Sequence, residues 1–169
     1  MQAATLNALA GFPDQLAAFY AEIPPGYETF VPGSWDGVPS EALSPLAQLC
    51  HVRDIEIDGY HVRFRRTLDE DRPLLASIDT DALAIERDYA HADAAQALAA
   101  FRAAREQTME LLRRVEPPHW ERTAVFEGYG PLTLRSLVHY LASHDQQHLA
   151  GLQWLLGKID AARAASAVS

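Results

Sequence analysis

The sequence predicts an all-α protein: a four-helix bundle with one long crossover between its second and third helices. Three observations lead there. Apolar residues recur at three- and four-residue steps along four long stretches; no stretch alternates like a strand; and Pro- and Gly-rich runs stand between the stretches. A chain of 169 residues is one domain by length and large enough to bury a core. The bundle is placed at residues 1–158 and a flexible C-terminal tail at 159–169.

Leu6, Leu9, Phe12, Leu16, Phe19, Tyr20 and Ile23 mark the first helix, which Pro13 divides in two if it breaks it. Pro24-Pro25-Gly26 ends it, and the Pro- and Gly-rich residues 27–40 form an ordered loop whose Trp35 packs on the bundle as a lid. Ser44 caps the second helix with Pro45 in its first turn. This helix is expected to run to Arg66, with His51, Ile55, Asp58 and Val62 on one face. Residues 67–92 are an acid-rich crossover with a short helix near 81–88. A crossover of that length lets the third helix run parallel to the second. Asp93 and Gln96 open the third helix in the manner of a capping box. Its inward stripe is Ala97, Phe101, Ala104, Thr108, Leu111 and Val115, and Pro117-Pro118 stops it. Gly128-Tyr129-Gly130-Pro131 is turn chemistry. Thr133 caps the last helix, with Leu132 and Leu137 as a hydrophobic staple, and the helix is expected to reach Gly157 before residues 164–169 fray.

Within that last helix, His144 and His148 lie one turn apart and about 40° apart around the axis. Leu134, Leu137, Leu141, Leu152 and Leu155 fall within about 80° of His144, so both imidazoles interrupt a leucine seam. A single core histidine is usually satisfied by a carbonyl or a neighbouring side chain. Two at this spacing can also share a divalent metal. His51, on the inward face of the second helix, is the natural third ligand. Asp54 either orients His51 as a hydrogen-bond acceptor or is a solvated edge residue; Asp58 reads as the latter. Arg105 borders the third helix's inward stripe. Its ordinary role is an interhelix or surface salt bridge, and its sharper one is to hold an anionic group of a substrate.

Other chemistry recedes. Ser143-His144-Asp145 cannot act as a triad, because consecutive helical residues point about 100° apart. His139 lies off the ligand face, His61, His91 and His119 have no partner at ligand spacing, and Cys50 reads as core packing. With one cysteine the chain forms no disulfide within itself, which suits a cytoplasmic location. A formal net charge of -9 argues against nucleic acid and anionic membranes as partners. There is no phosphate-binding glycine loop, and no apolar run long enough for a membrane span.

Three blocks of residues carry a family resemblance. They are Leu49-Cys50-His51-Val52-Arg53-Asp54-Ile55-Glu56, Gly130-Pro131-Leu132-Thr133-Leu134 and His144-Asp145-Gln146-Gln147-His148, supported by Asp88-Tyr89 and Ala100–Arg105. On them the chain resembles the DinB-like (DinB/YfiT) family over nearly its whole length. The resemblance implies an up-down-down-up bundle, often a homodimer, whose three histidines, here His51, His144 and His148, hold one divalent metal, commonly nickel or zinc. It further implies metal-dependent transfer of a low-molecular-weight thiol as the activity of characterised relatives. The Pro/Gly stretch before the second helix is longer than the family pattern, in which a Trp-Ser pair stands at the helix start.

The leading expectation is therefore a metal-dependent S-transferase acting on an electrophilic small molecule. A metal-dependent hydrolase and a non-catalytic, metal-braced dimeric bundle are the competitors. Coordination discriminates them. A fourth protein ligand such as a carboxylate favours bracing, whereas an exchangeable fourth position favours catalysis.

Overall fold

A computed structural model describes residues 3–168 of the chain; Met1, Gln2 and Ser169, which end the two expected segments, lie outside the described residues. Pro13 does not divide the first helix, and α1 (Ala3–Ala21) runs straight through it. A proline in a helix leaves the carbonyl four residues back without its usual donor. That carbonyl belongs to Leu9, and it is used: Arg105 Nη1 donates to it at 2.9 Å.

Ser44 accepts from the Ala47 backbone N–H and so caps α2 (Pro45–Asp54), as its sequence predicts. A π-helical turn (Ile55–Tyr60) follows without a break and leads into α3 (His61–Asp69). The His61 N–H bonds the Glu56 carbonyl, five residues back. The extra residue in that turn moves the buried face. The expected partners of His51 and Ile55 were Asp58 and Val62, yet Asp58 is only partly buried and Val62 is 40% exposed. The core takes Tyr60, Phe64 and Thr67 instead.

The crossover contains α4 (Thr80–Glu86), capped by Asp79, and then a short 3₁₀ turn (Tyr89–His91). Asp93 caps α5 (Ala94–Arg114) by accepting from the Gln96 N–H at 2.9 Å. The expectation of no strands is corrected. β1 (Leu74–Leu75), β2 (Thr123–Phe126) and β3 (Gly130–Thr133) form a small sheet, in which β1 pairs parallel with β2, and β2 antiparallel with β3. Each strand is too short for alternation to stand out in the sequence. The sheet ties the crossover to the segment that enters the last helix.

Thr133 accepts from the Ser136 N–H at 3.2 Å at the start of α6 (Leu134–Val168). This helix does not stop at Gly157, and Ile159 beyond it is fully buried. α1 packs against α5 and α6, and α2 packs against the same pair. The core forms two apolar clusters. One contains Leu9, Phe64, Leu112 and Leu137, and the other Phe12, Leu49, Phe101 and Leu152. Polar residues His144 and Asp145 lie in α6 between Leu141 of the first cluster and Leu152 of the second. No helix among the described residues is long and apolar enough to cross a membrane.

Candidate metal centre

One turn of α6 aims His144 and His148 inward, and α2 brings His51 to meet them. His144 Nε2 lies 3.1 Å from His51 Nε2 and 3.1 Å from His148 Nε2. The fourth group, Glu41, comes from the loop before α2. Its Oε2 is 3.1 Å from His148 Nε2, and its Oε1 is 3.8 Å from His51 Nε2. One donor atom from each of the four residues lies within 4.8 Å of all the others. Donors around a tetrahedral divalent ion with bonds of about 2.0–2.1 Å stand roughly 3.3 Å apart, so the spacing suits such an ion.

A hydrogen-bond chain fixes the tautomer of His148. The Ser40 hydroxyl donates to the Glu41 carbonyl at 3.1 Å, and Gln48 Nε2 donates to Ser40 Oγ at 2.8 Å. That leaves Gln48 Oε1 to accept from His148 Nδ1. The Nε2 of a neutral His148 is then a bare lone pair facing the Glu41 carboxylate. Two acceptors at that distance repel unless a cation lies between them. Gly151 allows the arrangement, since a Cβ there would fall 2.3 Å from Ser40 Oγ and 3.0 Å from Gln48 Nε2.

The electrostatics agree. Burial, reinforced by neighbouring His148, pulls His51 down to about 4. Burial, with His148 and His51, holds His144 well below the ordinary histidine range. Both rings are neutral at pH 7 and keep a lone pair for a ligand. Close contact with His148, and with His51 beside it, lowers Glu41 to about 2 despite partial burial, so the loop delivers a full negative charge. Among the described residues, the His51 and His144 rings hydrogen-bond only within the cluster.

Asp54 does not orient His51. Its carboxylate accepts from Arg53 Nε at 2.6 Å and from the Tyr89 hydroxyl at 2.6 Å, and it pairs with Arg87 at 2.9 Å. Burial pushes its pKa up, but the bonds from Arg53 and Tyr89 outweigh burial and hold it below the usual value. It anchors the crossover, through Arg87 and Tyr89, to the end of α2. Arg105 takes the ordinary of its two readings. Nε and Nη2 clasp Glu56, at 2.8 and 3.0 Å, and Nη1 and Nη2 clasp Asp145, at 2.6 and 2.9 Å. With the Leu9 carbonyl, those contacts occupy all five guanidinium N–H donors. None remains for a substrate.

The sequence reading missed Glu41 and Gln48. Glu41 belongs to a loop, where no periodicity fixes direction. Gln48 left a faint signal, an amide inside the apolar run Leu46–Cys50, one turn before His51. Trp35 meets its expectation as a lid, stacking on Trp154 of α6 at 6.0 Å and pinning the loop that carries Glu41. Replacing Gln48 with leucine removes the acceptor that sets the His148 tautomer. We expect divalent-metal affinity to fall about 10- to 100-fold, as read by competition with a chromophoric chelator.

A mostly helical protein with three histidines and a carboxylate around one point belongs to the class of bundles able to hold a divalent cation in their core. The model of the DinB superfamily matches residues 1–152, and the chain belongs to that superfamily. Among solved structures it is similar to YfiT from Bacillus subtilis, described as "a probable metal-dependent hydrolase with an unusual four-helix bundle topology". That likeness has a TM-score of 0.79 at 20% identity and covers 92% of this chain and 86% of the other. At that identity it speaks for the fold. No curated protein matches the chain.

Proposed function

We propose that the chain is a divalent-metal-dependent enzyme. His51, His144 and His148 hold the ion as permanent ligands, and Glu41 fills the fourth position as a replaceable one. The observation that carries this reading is the contrast in setting. His51 and His148 side chains are 2% and 0% exposed on packed helices, whereas Glu41 is 44% exposed on a loop. A carboxylate in the fourth position is also what a bracing ion would use. A brace, however, has no need to place its last ligand at the solvent edge.

The ion, when bound, would lower the pKa of a thiol or water and so supply a nucleophile near neutral pH. The chain does the rest. Gln48 holds the His148 proton at Nδ1, burial keeps His51 and His144 unprotonated, and Glu41 offsets positive charge until an incoming group takes its place. His51 and His148, 2% and 0% exposed, are shielded from bulk water. We assign the reaction as S-transfer from a low-molecular-weight thiol to an electrophilic small molecule, with nickel or zinc as the ion. The description of YfiT favours hydrolysis by a bound water as the second reading. An up-down-down-up helix order, a homodimer and a cytoplasmic location are part of the same proposal, as is the absence of nucleic-acid and membrane partners. The net charge of -9 supports that absence.

Cobalt(II)-loaded protein tests the assignment without a known substrate. We expect cysteine or dithiothreitol to add a sulfur-to-cobalt charge-transfer band, and Glu41→Ala to keep cobalt and gain that band at lower thiol concentration. No band at any thiol concentration would reject the thiol reading. Loss of cobalt from Glu41→Ala would make Glu41 a permanent ligand and the ion a brace.

A further inference from the structure

Two arginines are buried among the described residues, and they are treated differently. Arg105 has two carboxylates. Arg63, only 6% exposed, forms an ion pair with none. Its buried Nε has no hydrogen-bond partner, and its Nη2 reaches only the Ala76 carbonyl, at 3.4 Å. Nη1 makes no hydrogen bond to any described residue. The guanidinium lies over the Phe126 ring at 4.4 Å and the Tyr60 ring at 5.2 Å. Ring faces return only part of the hydration that a buried cation gives up. Burial accordingly holds the Arg63 pKa below its ordinary value.

The nitrogen edge of this side chain borders a cavity of about 130 Å³ walled by Asp58, Gly59, Val62, Ala76, Ser77 and Ile78. Gly59 makes the room. A Cβ there would lie 2.8 Å from Arg63 Nη1 and 3.4 Å from Ile78 Cδ1. Asp58 lies 2.8 Å from Arg87, which also pairs with Asp54, and its buried Oδ2 accepts no hydrogen bond. Arg66 pairs with Glu70 at 2.7 Å, so of the two arginines lining the cavity only Arg63 has no ion pair. A cavity of that size has room for a compact polar group.

We propose that this cavity is a binding site for a small oxyanion, a carboxylate or phosphate group, held end-on by Nη1 and Nη2 of Arg63. A planar guanidinium edge matches two oxygens of such a group with parallel hydrogen bonds. The Tyr60 ring, which covers Arg63, also neighbours His144, with centroids 6.4 Å apart. The anion site is thus one side chain removed from the histidine cluster, yet nothing in its assignment depends on a metal.

Thermal unfolding of the full chain in phosphate or acetate, with ionic strength held constant by sodium chloride, tests the proposal. We expect a saturable rise in Tm for at least one oxyanion, roughly 5 °C at about 100 times its Kd. The rise should vanish in Arg63→Met and persist in Arg66→Met. A response to phosphate alone identifies a phosphate site, and a response to acetate a carboxylate site. No saturable rise with either anion, or an equal rise in Arg63→Met, overturns the proposal. Should Arg63→Met fail to fold, crystals of the unaltered protein soaked in selenate decide. An anomalous peak within hydrogen-bond distance of Arg63 Nη1 supports the site, and water alone there overturns it.

Discussion

Replacing Arg105 with methionine is expected to destabilise the protein by about 3–5 kcal/mol, the usual cost of removing one partner from a buried ion pair. Glu56 and Asp145 are 1% and 2% exposed, and Arg105 is their shared cation. Without it, two carboxylates from neighbouring helices face each other in the core, and at least one must take up a proton to remain there. Asp145 is already pushed up to about 7 by burial, which Arg105 opposes. The Leu9 carbonyl released by Pro13 loses its donor as well, and a buried carbonyl without one costs about a further 1–3 kcal/mol. Urea unfolding followed by tryptophan fluorescence measures the loss. The triple variant Arg105→Met, Glu56→Gln, Asp145→Asn should recover most of it, because the penalty lies in the orphaned charges rather than in the missing arginine. A loss under about 1 kcal/mol for the single variant would show that the arginine does not hold the bundle together. Arg105→Lys is not a conservative test, since an ammonium cannot reproduce five directed donors.

The second large effect is on metal binding. His144 is the central member of the cluster, with its Nε2 3.1 Å from both other histidine nitrogens. His144→Ala should lower affinity for zinc or nickel more than about 100-fold, beyond the range of a supporting residue such as Gln48. It should leave helix content unchanged, because the Leu134, Leu137, Leu141, Leu152 and Leu155 seam of α6 remains intact. Chelator competition and circular dichroism on the same sample separate the outcomes. Unchanged affinity would mean that the ring nitrogens are not ligands. Lost helix content would mean that His144 is a packing residue first.

What could be read in the sequence follows from periodicity. His144 and His148 were legible because a helix converts a spacing of four into a shared direction, and the surrounding leucines tell which direction is inward. His51 was legible for the same reason, since it lies before the π-helical turn. Beyond that turn the extra residue is invisible in the pattern, so Asp58 and Val62 took the places that Tyr60 and Phe64 occupy. Glu41 reaches the cluster through the path of a loop, which depends on the Trp35–Trp154 stack and on room left by Gly151. No local spacing encodes that. Thr123–Phe126 was missed as a strand because a four-residue strand shows only two inward positions, here Ala124 and Phe126. Pro13 looked like a break and proved to be a device, freeing a carbonyl for Arg105.

The most direct test of the central claim is the metal content of the protein itself. It should be purified without a histidine tag or a nickel column and analysed by elemental mass spectrometry beside His148→Ala prepared identically. The account predicts about one divalent ion per chain, absent from the variant. No bound metal in either protein, even after incubation with zinc and nickel, would contradict it and leave the three histidines as polar residues of the core.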